Sequence, residues 1–334
     1  MWSRTASWLR AALLAGLVLV AGGESARSTE GVIAFVRADP AQPELGGPLY
    51  VIGADGSGLR ELVPLQVQHP DLSPDGRWIA FSHECAIWIV RADGTGLTKV
   101  TGGSTRCAGT PAWSPDGRRI AFSDVFRRSG RRVSAAVAAV DVDGSRLRHV
   151  SRRDDGLFID DAAPTWSPDG RRIAFQSSSI FPEGFRHLPA GYVVSQIVTM
   201  TRAGYYASGP GTSPFEVDPT ADWVADSAPS WSPDGARVLF QRTFVRSADP
   251  ARSVENVLYL LDAAGRAETR LLDNAAWPDW SPDSRSVVFT VLEGTGPRAR
   301  GIGLAIADSS GQVLRRLTSD PGDEWATWAP RPAN

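Results

Sequence analysis

The chain is poor in the residues that build metal centres, redox sites and basic binding surfaces. Of its 334 residues, 2 are cysteine, 2 are methionine and 4 are histidine. These small numbers argue against a multi-ligand metal centre and against a framework of several disulfides. The formal net charge is −2, so no strong positive field is present to attract nucleic acid. We therefore expect no metal, no cofactor and no nucleic-acid partner.

Long apolar runs are also scarce. Ala11–Ala21 is apolar throughout, but it is too short for a membrane-spanning helix, which needs about 20 residues. Arg4 and Arg10 precede this run, and small residues follow it, which is typical of a secretory signal peptide. We expect residues 1–28 to be that peptide and the only part to contact a membrane, with residues 29–334 periplasmic or secreted. An uncleaved N-terminal anchor is the alternative.

Glycine and proline, in contrast, are abundant, at 33 and 24 residues. Much of this excess belongs to one motif, Ser-Pro-Asp, which continues with glycine in four of its five copies. The copies begin at Ser73, Ser114, Ser167, Ser232 and Ser281. Tryptophan precedes four of them, and an apolar run such as Ile120-Ala121-Phe122 follows each. Repeats at this spacing indicate stacked units rather than a two-domain chain.

The motif has the chemistry of a tight turn between two strands. Proline presets φ at the second turn position, aspartate hydrogen-bonds local backbone, and glycine supplies a positive φ. A third apolar element and a further glycine turn follow in each repeat, as at Val137–Val140 and Gly144. Four antiparallel strands per repeat predict an all-β protein, a β-propeller whose blades pack face to face.

The two ends of the repeat array complement each other. Ile33-Ala34-Phe35 is a second strand with no turn motif before it, and Trp328-Ala329-Pro330 is a first strand with nothing after it. Joining them completes one blade from both ends and removes two open sheet edges. The sequence therefore predicts one six-bladed ring, which we expect to be a monomer.

The repeat units themselves resemble a known family. The segments Trp113–Phe122 and Trp166–Phe175 (both WSPDGRRIAF), with Ala54–Leu59 (ADGSGL), resemble the repeats of the TolB-type (WD40-like) propellers. The resemblance covers nearly all of residues 29–334 and implies an exported protein of the cell envelope that binds partner proteins. That family carries an α/β domain before its propeller. Few residues separate the signal-like segment from the first blade here, so we expect that domain to be missing.

The long connections all fall on one side of the predicted ring, which we call the loop face. They are expected as loops at residues 123–132, 151–163, 177–194, 207–228, 242–256 and 291–301. They join the second to the third strand of a blade, or one blade to the next, whereas the opposite turn face holds short turns. Binding residues tend to lie on variable loops held by a rigid scaffold. Two of the longest connections, residues 177–194 and 207–228, carry the aromatic side chains expected to form a recognition rim or, alternatively, local plugs: Phe181, Phe185, His187, Phe215 and Trp223.

Acidic residues precede the repeated tryptophans. We expect them to bring carboxylates toward the channel mouth on the loop face, where they could bind a cation or a basic peptide group. The alternative is that each one caps its own turn. The candidate mouth and rim residues are His69, Asp71, Arg106, Asp160, Asp161, Asp226, Asp279, Asp323 and Glu324.

The two cysteines, Cys85 and Cys107, lie 22 residues apart on connections of the loop face. In an exported chain this favours a disulfide. Two free thiols, or a metal site with His69 and His83, are the alternatives.

No linear catalytic motif occurs: the G-x-S-x-G elbow, the phosphate-binding loop and H-E-x-x-H are all missing. The sequence therefore favours a non-catalytic exported module that binds a protein or peptide through its loop face. The alternative is a propeller enzyme of lyase, hydrolase or cyclase type, acting on a sugar or peptide at the channel mouth.

Overall fold

The computed structural model describes residues 30–102, 107–128, 132–151, 158–180, 193–201, 223–246, 253–265, 267–294 and 299–332. The expected signal peptide lies outside these ranges, as do five candidate rim residues: Arg106, Phe181, Phe185, His187 and Phe215. Trp223 is the first residue of a strand. In the described ranges the only helix is a 3-10 turn at Pro43–Leu45, so no helix there is long and apolar enough to cross a bilayer.

Strands account for the rest of the regular structure. In chain order they are β1 (Val32–Arg37), β2 (Gly47–Gly53), β3 (Arg60–Leu72), β4 (Trp78–His83), β5 (Ala86–Arg91), β6 (Thr98–Lys99), β7 (Cys107–Trp113), β8 (Arg119–Arg128), β9 (Arg132–Asp141), β10 (Arg148–His149), β11 (Phe158–Trp166), β12 (Arg172–Ile180), β13 (Val193–Thr201), β14 (Trp223–Trp231), β15 (Arg237–Arg246), β16 (Ser253–Asp262), β17 (Glu268–Asp273), β18 (Ala275–Trp280), β19 (Ser286–Glu293), β20 (Arg300–Asp308), β21 (Val313–Arg316) and β22 (Asp323–Ala329).

Antiparallel pairing sorts these strands into six blades. Blade 1 contains β22, β1, β2 and the first half of β3, and blade 2 contains the second half of β3 with β4, β5 and β6. Blade 3 is β7–β10, blade 5 is β14–β17 and blade 6 is β18–β21, while blade 4 has the described strands β11–β13. In blade 1, Ile33 pairs with Trp328, so strands from the two ends of the array share one sheet, as predicted.

The Ser-Pro-Asp turns have the predicted chemistry. In the turn of blade 3, the Ser114 hydroxyl donates to the Asp116 carboxylate at 2.6 Å, and the Gly117 N–H donates to the Ser114 carbonyl at 2.8 Å. Gly117 has a φ of 65°. Ser284 takes that place in blade 6 with a φ of 60°. The turns are therefore held by their own side chains, which is why the motif repeats as a unit.

The apolar strand after each turn is buried on both faces. In β4, Ile79 and Phe81 pack into a cluster with residues of blade 1, whereas Ala80 packs against residues of blade 3. All three are inaccessible to solvent. Burial between neighbouring blades explains why these strands are continuously apolar instead of alternating with polar residues.

Arginine and tryptophan side chains tie successive blades together. The guanidinium group of one blade stacks on the tryptophan ring of the next, as in Arg119 on Trp166 (4.8 Å), Arg172 on Trp231 (5.0 Å) and Arg237 on Trp280 (4.7 Å). Stacking of this kind contributes electrostatic attraction in addition to apolar burial.

Two of the predicted long connections contain strand instead. Strands β8 and β9 pair from Arg119 with Asp141 to Arg128 with Arg132, and β15 and β16 pair as far as Arg246 with Ser253. The expectation of irregular loops over residues 123–132 and 242–256 was therefore wrong over most of their length. These hairpins are longer than the one formed by the six-residue strands β4 and β5, so blades 3 and 5 project further on the loop face.

Candidate functional site

The innermost strand of every blade contains the same irregularity. One non-glycine residue adopts a positive φ, and proline follows it in five of the six blades. These six residues are His69, Thr110, Ala163, Ala228, Trp277 and Trp325, with φ between 45° and 53°. Strand pairing shifts register beside this residue, which marks a bulge that bends the strand where it borders the axis.

The bulges surround a cavity on the propeller axis. It is lined by eighteen residues, three consecutive ones from each of the six blades, beginning with the six bulge residues. Its volume is about 150 Å³. At about 30 Å³ per molecule this is room for about five waters. A single side chain or a chain end fits such a space, whereas a folded loop does not.

Two tiers of side chains line this cavity. The outer tier consists of the bulge residues, and the inner tier consists of the residues two positions later: Asp71, Ala112, Thr165, Ser230, Asp279 and Thr327. Each innermost strand enters from the loop face, so the outer tier lies nearer that face. A strand rises about 3.3 Å per residue, so the two tiers are separated by about 6–7 Å at most.

The outer tier is aromatic on one side and small on the other. The His69 ring stacks on the Trp325 ring with a centroid distance of 4.4 Å, and the Trp277 ring meets Trp325 edge-on at 6.0 Å. These three come from adjacent blades 2, 1 and 6. The facing positions hold Thr110, Ala163 and Ala228. A ligand entering the cavity would therefore contact aromatic surface on one flank only.

The inner tier places two carboxylates on either side of a threonine. The Thr327 hydroxyl lies 3.1 Å from Asp279 Oδ2 and 3.4 Å from Asp71 Oδ1. Asp279 also accepts hydrogen bonds from the Ser230 hydroxyl at 2.7 Å and the Trp328 N–H at 2.8 Å. Asp71 Oδ2 accepts the N–H of Trp113 at 2.6 Å. Each carboxylate thus bridges to the next blade and still faces the cavity.

Burial governs the protonation of these groups. It raises the pKa of Asp71 to about 8, with the neighbouring Asp279 charge contributing, although the hydrogen bond from Trp113 opposes the shift. Burial also raises the pKa of Asp279. The pKa of His69 falls to about 4 because burial disfavours its charged form. His69 is therefore neutral at pH 7, and its Nδ1 atom is buried without a hydrogen-bond partner.

The structure places the remaining acidic candidates outside this cavity. Asp161 and Asp226 are buried in the sheets, where Asp161 accepts a hydrogen bond from Ser177 at 2.7 Å. Asp160 is exposed and accepts the N–H of Ala135 in the neighbouring blade at 2.9 Å. The expectation that these residues reach the axis is corrected, because they precede the bulge and their side chains bond within or between sheets.

The acidic pair Asp323 and Glu324 is corrected in the same way. Asp323 is fully buried and its carboxylate bonds Arg37 at 2.6 and 3.0 Å, so it is a partner in an ion pair. Glu324 is 6% exposed, and its Oε1 atom points to Gly301 of blade 6. Burial raises its pKa to about 7. Neither side chain lines the cavity.

Arg242 holds the corresponding buried carboxylate in blade 5. Its guanidinium bonds Asp226 through two nitrogens at 2.6 and 2.8 Å, and Glu268 at 2.7 Å. Both Arg242 and Asp226 are fully buried. Burial acts to lower the pKa of Arg242, but the two carboxylates outweigh it, so the guanidinium stays charged. These pairs stabilise the blades, and no lysine or arginine is among the described residues that line the cavity.

Cys85 and Cys107 form a disulfide between blades 2 and 3, with a Cα–Cα distance of 4.1 Å. The Ala108 N–H also donates to the Cys85 carbonyl at 3.1 Å. Across the described part of the chain, no three His, Cys, Asp or Glu side chains come together in a way that could hold a metal ion.

Sequence reasoning missed Trp277, Trp325 and Thr327 as cavity residues. The sequence did contain a usable signal. A proline precedes the repeated tryptophan, or the leucine that replaces it, in five blades, and alanine takes the place of this proline in the sixth. Each of the three missed residues lies directly before or directly after that proline or alanine. The same position rule separates the acidic residues. Asp71 and Asp279 directly follow this proline and face the axis, whereas Asp226 and Asp323 stand five residues before tryptophan and face a sheet.

No family model matches the chain. An uncharacterized protein of Agrobacterium fabrum is 34% identical over 114 residues, which are 32% of this chain and 38% of that protein's length. The chain thus matches well under half of this curated relative. Among solved structures, TolB from Acinetobacter baumannii superposes with a TM-score of 0.65 and 20% identity, covering 91% of this chain and 68% of TolB.

The fold is a TolB-like β-propeller. An oligogalacturonate lyase from Vibrio parahaemolyticus is also similar, with a TM-score of 0.51 and 12% identity over 80% of this chain and 71% of the lyase. In backbone shape, this propeller therefore resembles both a TolB protein and an enzyme. The fold alone does not define the chemistry of this propeller, which depends on the residues of its cavity.

Proposed function

We propose that this propeller is an exported, non-catalytic module that binds a protein or peptide partner at the channel mouth of its loop face. The observation that carries the proposal is the axial cavity, where His69, Trp277 and Trp325 form an aromatic flank above Asp71 and Asp279. Half-buried aromatic residues around a desolvated polar centre are typical of binding hot spots.

Two further features support partner binding on this face. Strands β8–β9 and β15–β16 extend past the shorter hairpin of blade 2, so they give the mouth raised walls. From the sequence, the connections with the predicted aromatic rim, residues 177–194 and 207–228, are expected on this face as well. A partner chain lying across the mouth would contact these walls while one of its side chains enters the cavity.

Export is supported by the signal-like segment at residues 1–28 and by the disulfide. Disulfides persist in the periplasm and outside cells, and they are rare in reducing compartments. The Cys85–Cys107 bond joins connections on the face proposed to bind, so it also limits movement of blades 2 and 3 beside the mouth.

The proposal is tested by capture of a partner from cell-envelope extract with wild-type protein and two tryptophan variants. Trp325→Ala removes the centre of the aromatic flank. Trp78→Ala is the matched control, because Trp78 is half-buried at the start of β4, near the turn face, and stacks on Arg91. We expect Trp325→Ala to lose the partner that Trp78→Ala retains. Equal capture by all variants would show that binding lies elsewhere.

An enzymatic function is the second candidate, and one observation favours it. Asp71, with a pKa of about 8, is a neutral acid beside the carboxylate Asp279, and such pairs can act as general acid and base. The test is turnover of oligogalacturonate and of a peptide library by wild type and by Asp71→Asn. Turnover that Asp71→Asn abolishes while the variant remains folded would replace the binding proposal with an enzyme.

A further inference from the structure

We propose that the inner tier of the axial cavity binds one primary ammonium group, from a lysine side chain or from a chain's α-amino end. This inference rests on the proposed function, since it names the chemical group of the partner that enters the cavity. The site consists of Asp71 and Asp279 with Thr327 between them, below the aromatic flank of the outer tier.

The oxygens of this site can accept more hydrogen bonds than the protein donates to them, even with the Leu72 N–H donating to Thr327 Oγ1 at 3.3 Å. The Thr327 hydroxyl has one hydrogen, and Asp279 Oδ2 is its nearer acceptor at 3.1 Å. When Asp71 is ionised, its Oδ1 atom, at 3.4 Å, is then left without a donor. Asp71 Oδ1, Thr327 Oγ1 and Asp279 Oδ2 therefore form a row of three oxygens at the cavity. A primary ammonium group carries three N–H donors and no acceptor, which complements that row.

Among the described residues that line the cavity, no cation compensates the carboxylate charge of the site. The titratable side chains among the eighteen lining residues are His69, Asp71 and Asp279, and His69 is neutral at pH 7. The buried carboxylates of Asp226 and Asp323, in contrast, each have an arginine within 3 Å. Asp226 and Asp323 are thus neutralised by arginine, whereas no arginine or lysine is among the lining residues beside Asp71 and Asp279.

Size and shape favour an alkylammonium over other cations. The cavity of about 150 Å³ admits a side-chain-sized group. The stem of such a group would pass the rings of Trp277 and Trp325, which attract both alkyl chains and cations. A guanidinium group directs its donors outward in one plane, so it fits three acceptors grouped around Thr327 less well.

Proton balance gives the site a distinctive signature. Around pH 7 the Asp71 carboxyl is protonated for most of the time, since burial raises its pKa to about 8. The groups that face it are Asp279, Thr327, His69 and the Trp113 N–H. An arriving ammonium group, RNH3+, pairs with the Asp71 carboxylate, and the carboxyl proton leaves to solvent. Binding should therefore release up to one proton below pH 8, and affinity should increase from pH 6 to pH 8.

The probe for the experiment is n-butylammonium chloride, titrated calorimetrically at pH 6 and pH 8 in two buffers of different protonation enthalpy. n-Butanol, n-butylguanidinium and calcium chloride are the comparison ligands. Asp71→Asn removes the proposed charge but keeps an oxygen for Trp113, so it should fold. Asp160→Asn is the matched control, because Asp160 is an exposed acid on an inner strand outside the cavity.

We expect n-butylammonium to bind wild type and Asp160→Asn equally, with tighter binding and less proton release at pH 8. Asp71→Asn should bind at least about tenfold more weakly, the effect typical of losing a charged hydrogen-bond partner. Equal binding of n-butanol, preference for guanidinium or calcium, or undiminished binding by Asp71→Asn would each overturn the ammonium site. Two peptides then show which kind of ammonium group binds. One peptide has an internal lysine and an acetylated N-terminus, and the other has a free N-terminus and no lysine.

Partner capture separates failure of this inference from failure of the proposed function. If Asp71→Asn captures the envelope partner as well as wild type does, while Trp325→Ala loses it, the mouth binds a partner but the ammonium site is wrong. If neither variant loses the partner, the proposed function itself fails.

Discussion

The Asp71 carboxylate accepts the backbone N–H of Trp113 at 2.6 Å, and the Trp113 indole N–H donates to the Asp71 carbonyl at 3.1 Å. One residue of blade 2 is thus bonded twice to one residue of blade 3. The carboxylate that faces the cavity is therefore also a structural link, and its protonation affects stability as well as binding.

This link predicts different stabilities for two variants of Asp71. The raised pKa means that the folded protein holds a proton that the unfolded chain releases near pH 4, so stability falls as the pH rises from about 4 to about 8. Asp71→Asn removes this dependence and should gain stability relative to wild type at pH 8. Asp71→Ala leaves the Trp113 N–H unpaired and should be less stable than Asp71→Asn by about 1–3 kcal/mol. Urea unfolding at pH 5 and pH 8 measures both effects, and parallel pH profiles for wild type and Asp71→Asn would contradict the shifted pKa.

The repeated tryptophans offer a matched pair. Trp166 and Trp231 are each 5% exposed and each lies under an arginine. The Trp166 indole N–H donates to the Ala112 carbonyl at 3.3 Å, whereas the Trp231 indole N–H is buried without a partner. Trp166→Phe should therefore cost about 0.5–1.5 kcal/mol more than Trp231→Phe, the value of one hydrogen bond. Chemical denaturation of both variants tests this, and equal losses would count against it.

The buried ion pair of blade 5 should be intolerant of single changes. Arg242→Met removes the guanidinium that neutralises the buried Asp226 carboxylate, which costs about 3–5 kcal/mol. The double variant Arg242→Met with Asp226→Leu should recover most of this loss. Arg37→Met is the control, because the Arg37 side chain is 27% exposed and water can replace part of its interaction. Thermal unfolding of the variants gives the order, and a double variant no more stable than Arg242→Met would refute the explanation.

Alanine substitutions at two turn glycines should distinguish the cost of backbone strain from the cost of a steric clash between blades. Gly76 and Gly117 have φ values of 68° and 65° in equivalent turns. A Cβ on Gly76 would meet the Pro330 carbonyl oxygen at 2.0 Å, whereas a Cβ on Gly117 would meet nothing within 4 Å. Gly117→Ala should cost about 1 kcal/mol from its positive φ alone. Gly76→Ala should destabilise the protein clearly more, because Pro330, just after the end of strand β22 in blade 1, would have to move. Similar melting temperatures for the two variants would disprove this.

The disulfide should contribute measurably to stability. Closing a loop of 22 residues is worth about 3 kcal/mol in the chain-entropy model. The double variant Cys85→Ser with Cys107→Ser should lower the unfolding free energy by about that amount, and reductant should destabilise only the wild type. A thiol count on exported protein is the control. Two reactive thiols without reductant would show that the bond does not form.

Repetition made the architecture predictable. Five Ser-Pro-Asp turns in register predict strands, blades and closure, because each turn is stabilised by its own residues, as Ser114 and Asp116 show. The hairpins of blades 3 and 5 were not predicted, because their extensions lack the apolar pattern of a buried strand.

The residues of the cavity were only partly predicted. Whether an aspartate faces the axis or a sheet depends on its place relative to the bulge, and no local propensity of Asp279 or Asp226 encodes that difference.

The strand pair that closes blade 1 determines how the ring responds to pulling. Val32 pairs with Ala329 at one end of this pair and Arg37 with Asp323 at the other, so the chain enters and leaves at the same end. Tension applied through residues 30 and 332 would separate the strands one hydrogen bond after another, because antiparallel neighbours loaded from one end peel apart. Such a ring should open under weaker mechanical load through these positions than through positions that force two strands to slide past each other.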